Sequence, residues 1–571
     1  MDTSREIIWG DETTYHYAAE NLIKYRTLTY DINGDIYNGN NEATPTPKLQ
    51  PGYPIYIALI YILFGHSTSA VLISHVLLSI FSFWLIYRIL TLLKIRKPFI
   101  MISLILAAVY PGFLYSIDRM LTEQLFTTLF LAFVYCFLKS RQTNNVIWLG
   151  ISAALLTCAS HVRALAFPFA VVVIFFLIIY DQNNKKNAVR NVTVFISVIL
   201  LFMLPWWVRN WITFDKFMLF SDAGYSPKVW GAVPYFIDMA STNNQPLNVV
   251  LENNVTPNPG LYYKWRIFGF FQYMWGDLWD ENLVHPYKYL RPFIALQQLI
   301  IVPCIMAIPF LIKNCRKEVL FISCIPIAFT LMNMPFHGLP RYVYPSVPFV
   351  LVLVGVLLEL LVDTIRKKRT YELDSFLSKW QGATDRWVLR GYTVFAAIFS
   401  IILFYSIYIF AYEINGEMSE YRLGRYMGIT QTSLQANDIV FSKKYNQSEM
   451  MIENSSIING KYKNDVDAPA IIKVSDNLLN DSIKKQIVTE VSINIQGGYL
   501  YDYMTVYWTG RNTQEISENN VYKFPISKLE KSQKIFIDDD VNFLMVVPAV
   551  FRGGEFKVDS IEINKYKVQV Q

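Results

Sequence analysis

A chain of 571 residues that is 53% hydrophobic, 16% aromatic and 17% charged is more apolar than soluble proteins, which run near roughly 45–50%. That balance excludes an ordinary cytosolic enzyme. The net charge of +6 does not make a nucleic-acid surface, because Lys and Arg sit in short clusters between apolar runs and not along one face.

The chain opens on a polar stretch, residues 1–66, whose first twenty residues are too polar for a signal peptide. It carries Gly10-Asp11-Glu12, then Tyr15, Tyr17 and Ala18, and ends in Pro51-Gly52-Tyr53-Pro54 and a short apolar helix reaching Phe64-Gly65. Ten apolar segments follow, at 67–93, 98–117, 121–138, 146–160, 162–180, 189–208, 292–312, 319–334, 342–362 and 391–412. A helix needs about 20 apolar residues to cross a bilayer, so this is a polytopic helical membrane protein of about ten spans. The sixth and seventh segments are separated by a long polar loop, 209–291, dense in aromatics and acids: Trp275, Asp277, Trp279, Asp280, Glu281 and His285. These form either a membrane-interface belt or a surface for stacking a sugar.

After Tyr412 the texture changes. Alternating β-branched and aromatic runs at 487–495, 504–508, 534–537, 543–547 and 558–563 predict a β-sandwich, with Trp508 and Tyr507 read as core. The expected organisation is a loop region 1–66, a helical domain 67–412 that includes the long loop, a helix and connector over 413–468, and a sandwich over 469–571. The cysteines, Cys136, Cys158, Cys304, Cys315 and Cys324, all fall in or beside apolar runs, which leaves no disulfide framework and no zinc spacing.

Orientation follows from the tendency of Lys and Arg to stay on the cytoplasmic side. Alternate loops carry Lys94, Arg96 and Lys97; Lys139 and Arg141; Lys185, Lys186 and Arg190; Lys313, Arg316 and Lys317; and Arg366, Lys367, Lys368 and Arg369. The intervening short loops carry Arg119, Arg163 and Arg341. The N-terminal region, the long loop and the C-terminal tail are therefore expected outside. Single cysteines introduced at Asn40, Asn253 and Asn519 should react with an impermeant thiol reagent in intact cells, and one at Asn183 should not. Protection at Asn253 would overturn this topology.

Several residues at the expected outer surface can carry chemistry. Asp11 and Glu12 either cap the helix that follows, by accepting its free backbone N–H groups, or supply a general base to an acceptor hydroxyl. Asp118 and Glu123 flank the turn after Tyr110-Pro111, where carboxylates also cap helices. Arg163 follows His161, Arg209 stands in Pro205-Trp206-Trp207-Val208-Arg209-Asn210, and Arg341 in Arg341-Tyr342-Val343-Tyr344-Pro345. Arginines at span ends either snorkel to headgroups or grip phosphate through the planar fork of the guanidinium. His161 and His337 read as surface or packing residues, and no metal site is expected.

Taken in order, the Asp-Glu loop, the Pro-Gly-Tyr-Pro helix ending in Phe-Gly, the Tyr-Pro helix end followed by Thr122-Glu123, Pro-Trp-x-x-Arg-Asn and Arg-Tyr-x-x-Pro-x-x-Pro resemble a known family. The first 412 residues resemble the GT-C glycosyltransferases of the protein O-mannosyltransferase and aminoarabinose transferase superfamily, in the bacterial branch described as dolichyl-phosphate-mannose-protein mannosyltransferase-like. The resemblance implies a sugar donor carried on a polyprenyl phosphate and transfer on the outer face to a glycan, lipid or protein acceptor. It implies Asp11 as the catalytic carboxylate with Glu12 its companion, Arg209 and Arg341 at the donor phosphate with Arg163 in reserve, and Asp118, Glu123, Asn210 and Tyr342 lining the cavity. No cofactor is required by such a displacement, and a divalent metal stays open. The resembled family carries a membrane span before its Asp-Glu loop, whereas Met1 to Trp9 alone precede Gly10. Either translation starts further upstream, on an in-frame apolar stretch of about 20 residues, or that span has been lost. The Lys-, Asn- and Ile-rich usage fits a low-GC bacterium, which would make undecaprenyl phosphate the carrier. Two competing functions are a transporter or flippase for a lipid-linked substrate, which needs polar groups near the bilayer midplane, and an inactive relative whose tail binds glycan. The ionisable residues gather at span ends, which favours surface chemistry.

Overall fold

The computed structural model describes residues 10–29, 45–181, 184–221, 225–236, 242, 245–256, 258–276, 278–279, 296–314, 317–336, 338–365, 383–427, 429, 431–435, 438–458, 461–464, 471–475, 487–497, 502–511, 514, 521–526, 532–547 and 555–568. The chain divides into two compact units, one of Met1–Pro227, Pro303–Asn333 and Leu339–Ser400, the other of Lys228–Val302, Met334–Gly338 and Ile401–Gln571. The expected helical domain 67–412, which includes the long loop, differs from this division, since most of that loop groups with the C-terminal part.

The first unit begins with helix α1 (Asp11–Tyr25) and helix α2 (Gly52–Phe64). Asp11 and Glu12 occupy the first turn of α1, where free N–H groups and the helix dipole favour acids. Tyr15 meets Tyr53 edge to face at 4.9 Å, and His16 Nδ1 lies 2.7 Å from the Tyr61 hydroxyl. Gly52 is required by close approach: a Cβ there would stand 2.7 Å from the backbone of His161 and Val162. Gly52→Ala should therefore push α2 off the chain leading to Arg163, at a cost of roughly 1–3 kcal/mol. A thermal midpoint equal to the parent's would show that this contact gives way freely.

Helix α3 (Thr68–Leu92) is capped by Ser67, whose hydroxyl accepts from the Ala70 N–H at 3.3 Å. Its inward side buries His75, Ser79 and Ser82, while Ile73, Leu77, Ile80 and Phe81 are exposed. An apolar surface turned outward with polar residues inward is the pattern of a helix against lipid. Helices α4 (Lys97–Val109) and α5 (Pro111–Asp118) meet at a bend of 50°. Tyr110 is extended there, as the residue before a proline prefers. Helix α6 (Thr122–Thr143) is the centre of this unit. Its Phe126, Phe130, Phe133 and Phe137 are fully buried, and they pack on one another and on Phe169, Phe321, Phe329 and Phe349.

Helices α7 (Val146–Val162), α8 (Phe169–Tyr180) and α9 (Lys185–Phe214) complete the run before the long loop. Ion pairs tie helix ends beside the Lys/Arg clusters. Arg96 reaches Glu359 at 2.6 Å and Asp363 at 2.7 Å, and Arg141 reaches Asp181 at 2.7 Å. Each of the ten apolar segments is largely helical in its described residues, with breaks such as those at Tyr110 and Arg163. By length and composition, four helices can cross a membrane, Thr68–Leu92, Lys185–Phe214, Pro340–Ile365 and Trp387–Phe410, or five counting the bent α4–α5 pair. The other segments form helices that are shorter, broken or less apolar, so not all of the expected ten are, among the described residues, long and apolar enough to cross a membrane.

In the second unit, short helices of the long loop pack on the helical stretch that precedes the β region. Lys264 pairs with Glu413 at 2.9 Å and also with Glu417, and the Tyr421 hydroxyl donates to Asn254. Trp275 and Trp279 are buried, so neither is an open platform for a sugar. Asp277, Asp280, Glu281 and His285 lie outside the described residues.

Strands β1 (Ile439–Asn446), β2 (Met451–Glu453), β3 (Ser455–Ile458), β4 (Lys461–Asn464), β5 (Ile471–Ser475), β6 (Ile487–Gly497), β7 (Asp502–Gly510), β8 (Val521–Ile526), β9 (Ser532–Ile537), β10 (Val541–Val547) and β11 (Glu555–Lys567) form two antiparallel sheets. One runs β3-β4-β11-β6-β9 with β1 also on β11, the other β2-β5-β10-β7-β8. Val491, Ile493, Ile535, Ile561 and Ile563 from the first sheet and Ile472, Val506, Trp508, Leu544 and Val546 from the second share one buried cluster. All five alternating runs expected in the tail are strands. The 413–468 stretch, expected as helix and connector, also contains β1 to β4. Its strands carry Lys and Asn on exposed faces, as in β1, where seven of the eight residues are not buried, and so they lack a clean apolar alternation.

Candidate active site

The beginning of α1 meets the beginning of α6, the end of α7 and the Arg341 turn, and their charges converge. Arg341 Nη2 donates to Asp11 Oδ2. Its Nε lies 3.6 Å from Glu123 Oε1, and the same oxygen accepts from Arg163 Nη1 at 2.9 Å. Thr122 Oγ1 lies 3.3 Å from Glu123 Oε2. Two carboxylates and two guanidiniums thus form one chain, Asp11–Arg341–Glu123–Arg163. The Tyr342 ring lies beneath both cations, 5.5 Å from each guanidinium carbon, within reach of a cation–π attraction.

Local sequence explains each placement. Asp11 opens α1 directly after Gly10, whose φ of 84° is a left-handed conformation that suits glycine. Glu123 stands in the first turn of α6, and Arg163 is the residue after α7 ends, fixed from behind by the Gly52 contact. The Arg341 turn is pinned through Tyr344, whose hydroxyl lies 3.0 Å from Ser116 Oγ and whose ring occupies the space beside Gly112. Any side chain at Gly112 would meet that ring at 2.7 Å.

Tyr15, one helical turn from Asp11 and so on the same face, reports the field of the site. Burial raises its phenol pKa, the carboxylates of Asp11 and Glu123 raise it further, and Arg163 and Arg341 act in the opposite direction. Tyr15 was not legible as a site residue; its signal in the sequence is the i, i+4 spacing from Asp11. Arg119 was also missed. It is buried, with its guanidinium 3.9 Å from Glu12 Oε2.

Glu12 points elsewhere. Its Oε1 accepts from the Met120 backbone N–H at 2.8 Å, and the side chain is buried, so it ties α1 to the chain entering α6. Arg209 is not in the cluster either. Its guanidinium donates to Asn210 Oδ1 at 2.9 Å and lies about 5 Å from the rings of Trp206 and Phe214, all within α9. Asn210 is buried, with its amide 3.5 Å from the Met218 carbonyl. Asp118 is exposed at the end of α5. The structure therefore brings together Asp11, Glu123, Arg163, Arg341 and Tyr342, and places Glu12, Asp118, Arg209 and Asn210 outside that cluster. His161 Nε2 lies 3.1 Å from the Phe202 carbonyl, a packing role, and His337 lies outside the described residues.

Residues 46–208 match the family model described as dolichyl-phosphate-mannose-protein mannosyltransferase. No curated protein matches the chain. Among solved structures it is similar to ArnT from Cupriavidus metallidurans bound to undecaprenyl phosphate, at 13% identity over 74% of this chain and 72% of that one, with a TM-score of 0.38. The apo state of the same protein gives 13% identity, the same coverage and a TM-score of 0.37. The arabinosyltransferase EmbB from Mycobacterium smegmatis is similar at 7% identity over 99% of this chain and 63% of that one, with a TM-score of 0.34. The matched segment contains Glu123 and Arg163 but neither Asp11 nor Arg341. Over residues 46–208, from the helix that carries Pro51-Gly52-Tyr53-Pro54 through Trp206, the chain is similar to the dolichyl-phosphate-mannose-protein mannosyltransferase family that its motifs resemble.

Proposed function

We infer that the protein is an integral membrane glycosyltransferase that moves a sugar from a polyprenyl-phosphate donor to an extracytoplasmic hydroxyl acceptor with inversion. The observation that carries this reading is the junction of a half-exposed carboxylate, Asp11, with two arginines anchored on a buried one, Glu123. In the displacement, the acceptor oxygen gives its proton to Asp11 and bonds to the anomeric carbon, and the bond from that carbon to the phosphate oxygen breaks. The leaving phosphate passes from a diester with one negative charge to a monoester with up to two. It needs no acid, but it does need positive charge aimed at the site where charge grows, and Arg341 and Arg163 supply it. Glu12 is proposed as a companion that fixes the α1 end, and Arg209 as a more distant contributor of charge. The two C-terminal sheets are read as a sandwich that positions acceptor.

The test is turnover of a panel of polyprenyl-phosphate sugars by the purified full chain with envelope glycan, lipid and protein acceptors, following release of polyprenyl phosphate. Transfer to a hydroxyl with inverted anomeric configuration is expected. Failure with every donor, combined with passage of a lipid-linked sugar across liposomes, would replace this reading with transport.

A further inference from the structure

The two carboxylates of the cluster are held very differently. The Glu123 side chain is 1% exposed and the Asp11 side chain 49%. Glu123 stands on a helix buried along its length and answers to both arginines, through one oxygen at 2.9 Å and 3.6 Å. Stripping a buried carboxylate of its cations is costly. A carboxylate half in water exchanges a guanidinium for solvent at little cost. An incoming phosphate that seeks Arg341 will therefore displace Asp11 and leave Glu123 in place.

We propose that Arg341 is a shared cation whose resting partner is Asp11, and that donor phosphate takes this arginine over, so that the base is released to the acceptor only after the donor is seated. Glu123 is the positioning residue that keeps Arg341 and Arg163 side by side throughout. The inference rests on reading Asp11 as the base and Arg341 as a phosphate ligand. Donor binding thus frees the Asp11 carboxylate for the acceptor at the moment it is needed, and a site without donor keeps it paired with Arg341.

The two carboxylates give opposite expectations. Asp11 competes with phosphate, so Asp11→Asn should bind undecaprenyl phosphate about threefold to tenfold more tightly than the parent even though its turnover is expected to fall. Glu123 helps phosphate binding by holding the arginines, so Glu123→Gln should bind it more weakly, although removing a negative charge by itself would tighten binding. Binding of undecaprenyl phosphate to the full chain in detergent is measured for the parent, Asp11→Asn, Asp11→Ser, Arg341→Ala, Asp11→Asn/Arg341→Ala and Glu123→Gln. Elution profile and thermal midpoint serve as folding controls. The gain from Asp11→Asn should vanish when Arg341 is absent, which a double-mutant cycle reads directly.

If Arg341→Ala weakens binding while neither Asp11 variant tightens it, the exchange is overturned and the phosphate-ligand reading stands. If Arg341→Ala binds as the parent does, the phosphate-ligand reading itself fails. Tighter binding by Glu123→Gln would remove its positioning role.

Discussion

Asp11→Asn is expected to fold as the parent does and to lose transfer by about a hundredfold to ten-thousandfold, the range contributed by a general base. The amide is isosteric with the carboxylate and still hydrogen-bonds, but it has no useful basicity. The side chain is half exposed, so the exchange leaves no large void and no buried charge without a partner. Loss should appear in kcat with donor binding improved, because in the proposed reading Asp11 serves the acceptor and competes for the arginine that takes the phosphate. Glu12→Gln is the matched control. Its carboxylate accepts the Met120 N–H, which a glutamine oxygen can also do, so its effect on kcat should be much smaller. Substantial turnover by Asp11→Asn, with collapse in Glu12→Gln, would transfer the base to Glu12.

Arg341→Ala should raise the donor KM by about tenfold to a hundredfold, since a hydrogen bond to a charged group contributes roughly 1.5–3 kcal/mol. Arg341→Lys should fall between alanine and the parent: the ammonium keeps the attraction but loses the planar two-point grip. The alanine variant also leaves the buried Glu123 with Arg163 as its remaining cation of the cluster, so its thermal midpoint should drop. The lysine variant separates this loss of stability from loss of phosphate binding. Arg209→Ala is the informative comparison, because its guanidinium contacts residues of its own helix. A donor KM that rises more for Arg209→Ala than for Arg341→Ala would move the principal phosphate ligand to α9.

The amino-acid sequence by itself determined the helices of the membrane part and the strands of the tail, because each is written in a local period. Apolar runs such as 67–93 must bury or face lipid over their whole length, and alternation such as that at 487–495 turns every second side chain into a core. Where the local signal is diluted, the sequence was silent. Strands β1 to β4 are polar on exposed faces and owe their form to pairing, as when Lys443 stands opposite Ile563. The long loop likewise reads as an insertion between spans, and its association with the C-terminal part comes from partners far along the chain, such as Glu413 for Lys264.

For the site, the sequence supplied the residue types and the tertiary structure decided which of them meet. Asp11 and Glu12 are adjacent, and neighbours on a helix point in different directions. One therefore reaches Arg341 and the other the Met120 N–H. That they cannot share a target was implicit in the helix that follows Gly10, but which of the two would face the arginines was not. Glu123, Arg163 and Arg341 come from helix ends up to 218 residues apart in numbering. Their convergence depends on the bend at Tyr110-Pro111, the Gly52 contact behind Arg163, and the Tyr344–Ser116 bond that pins the Arg341 turn. A local pattern cannot encode those distances, because each is fixed by the packing of several helices at once.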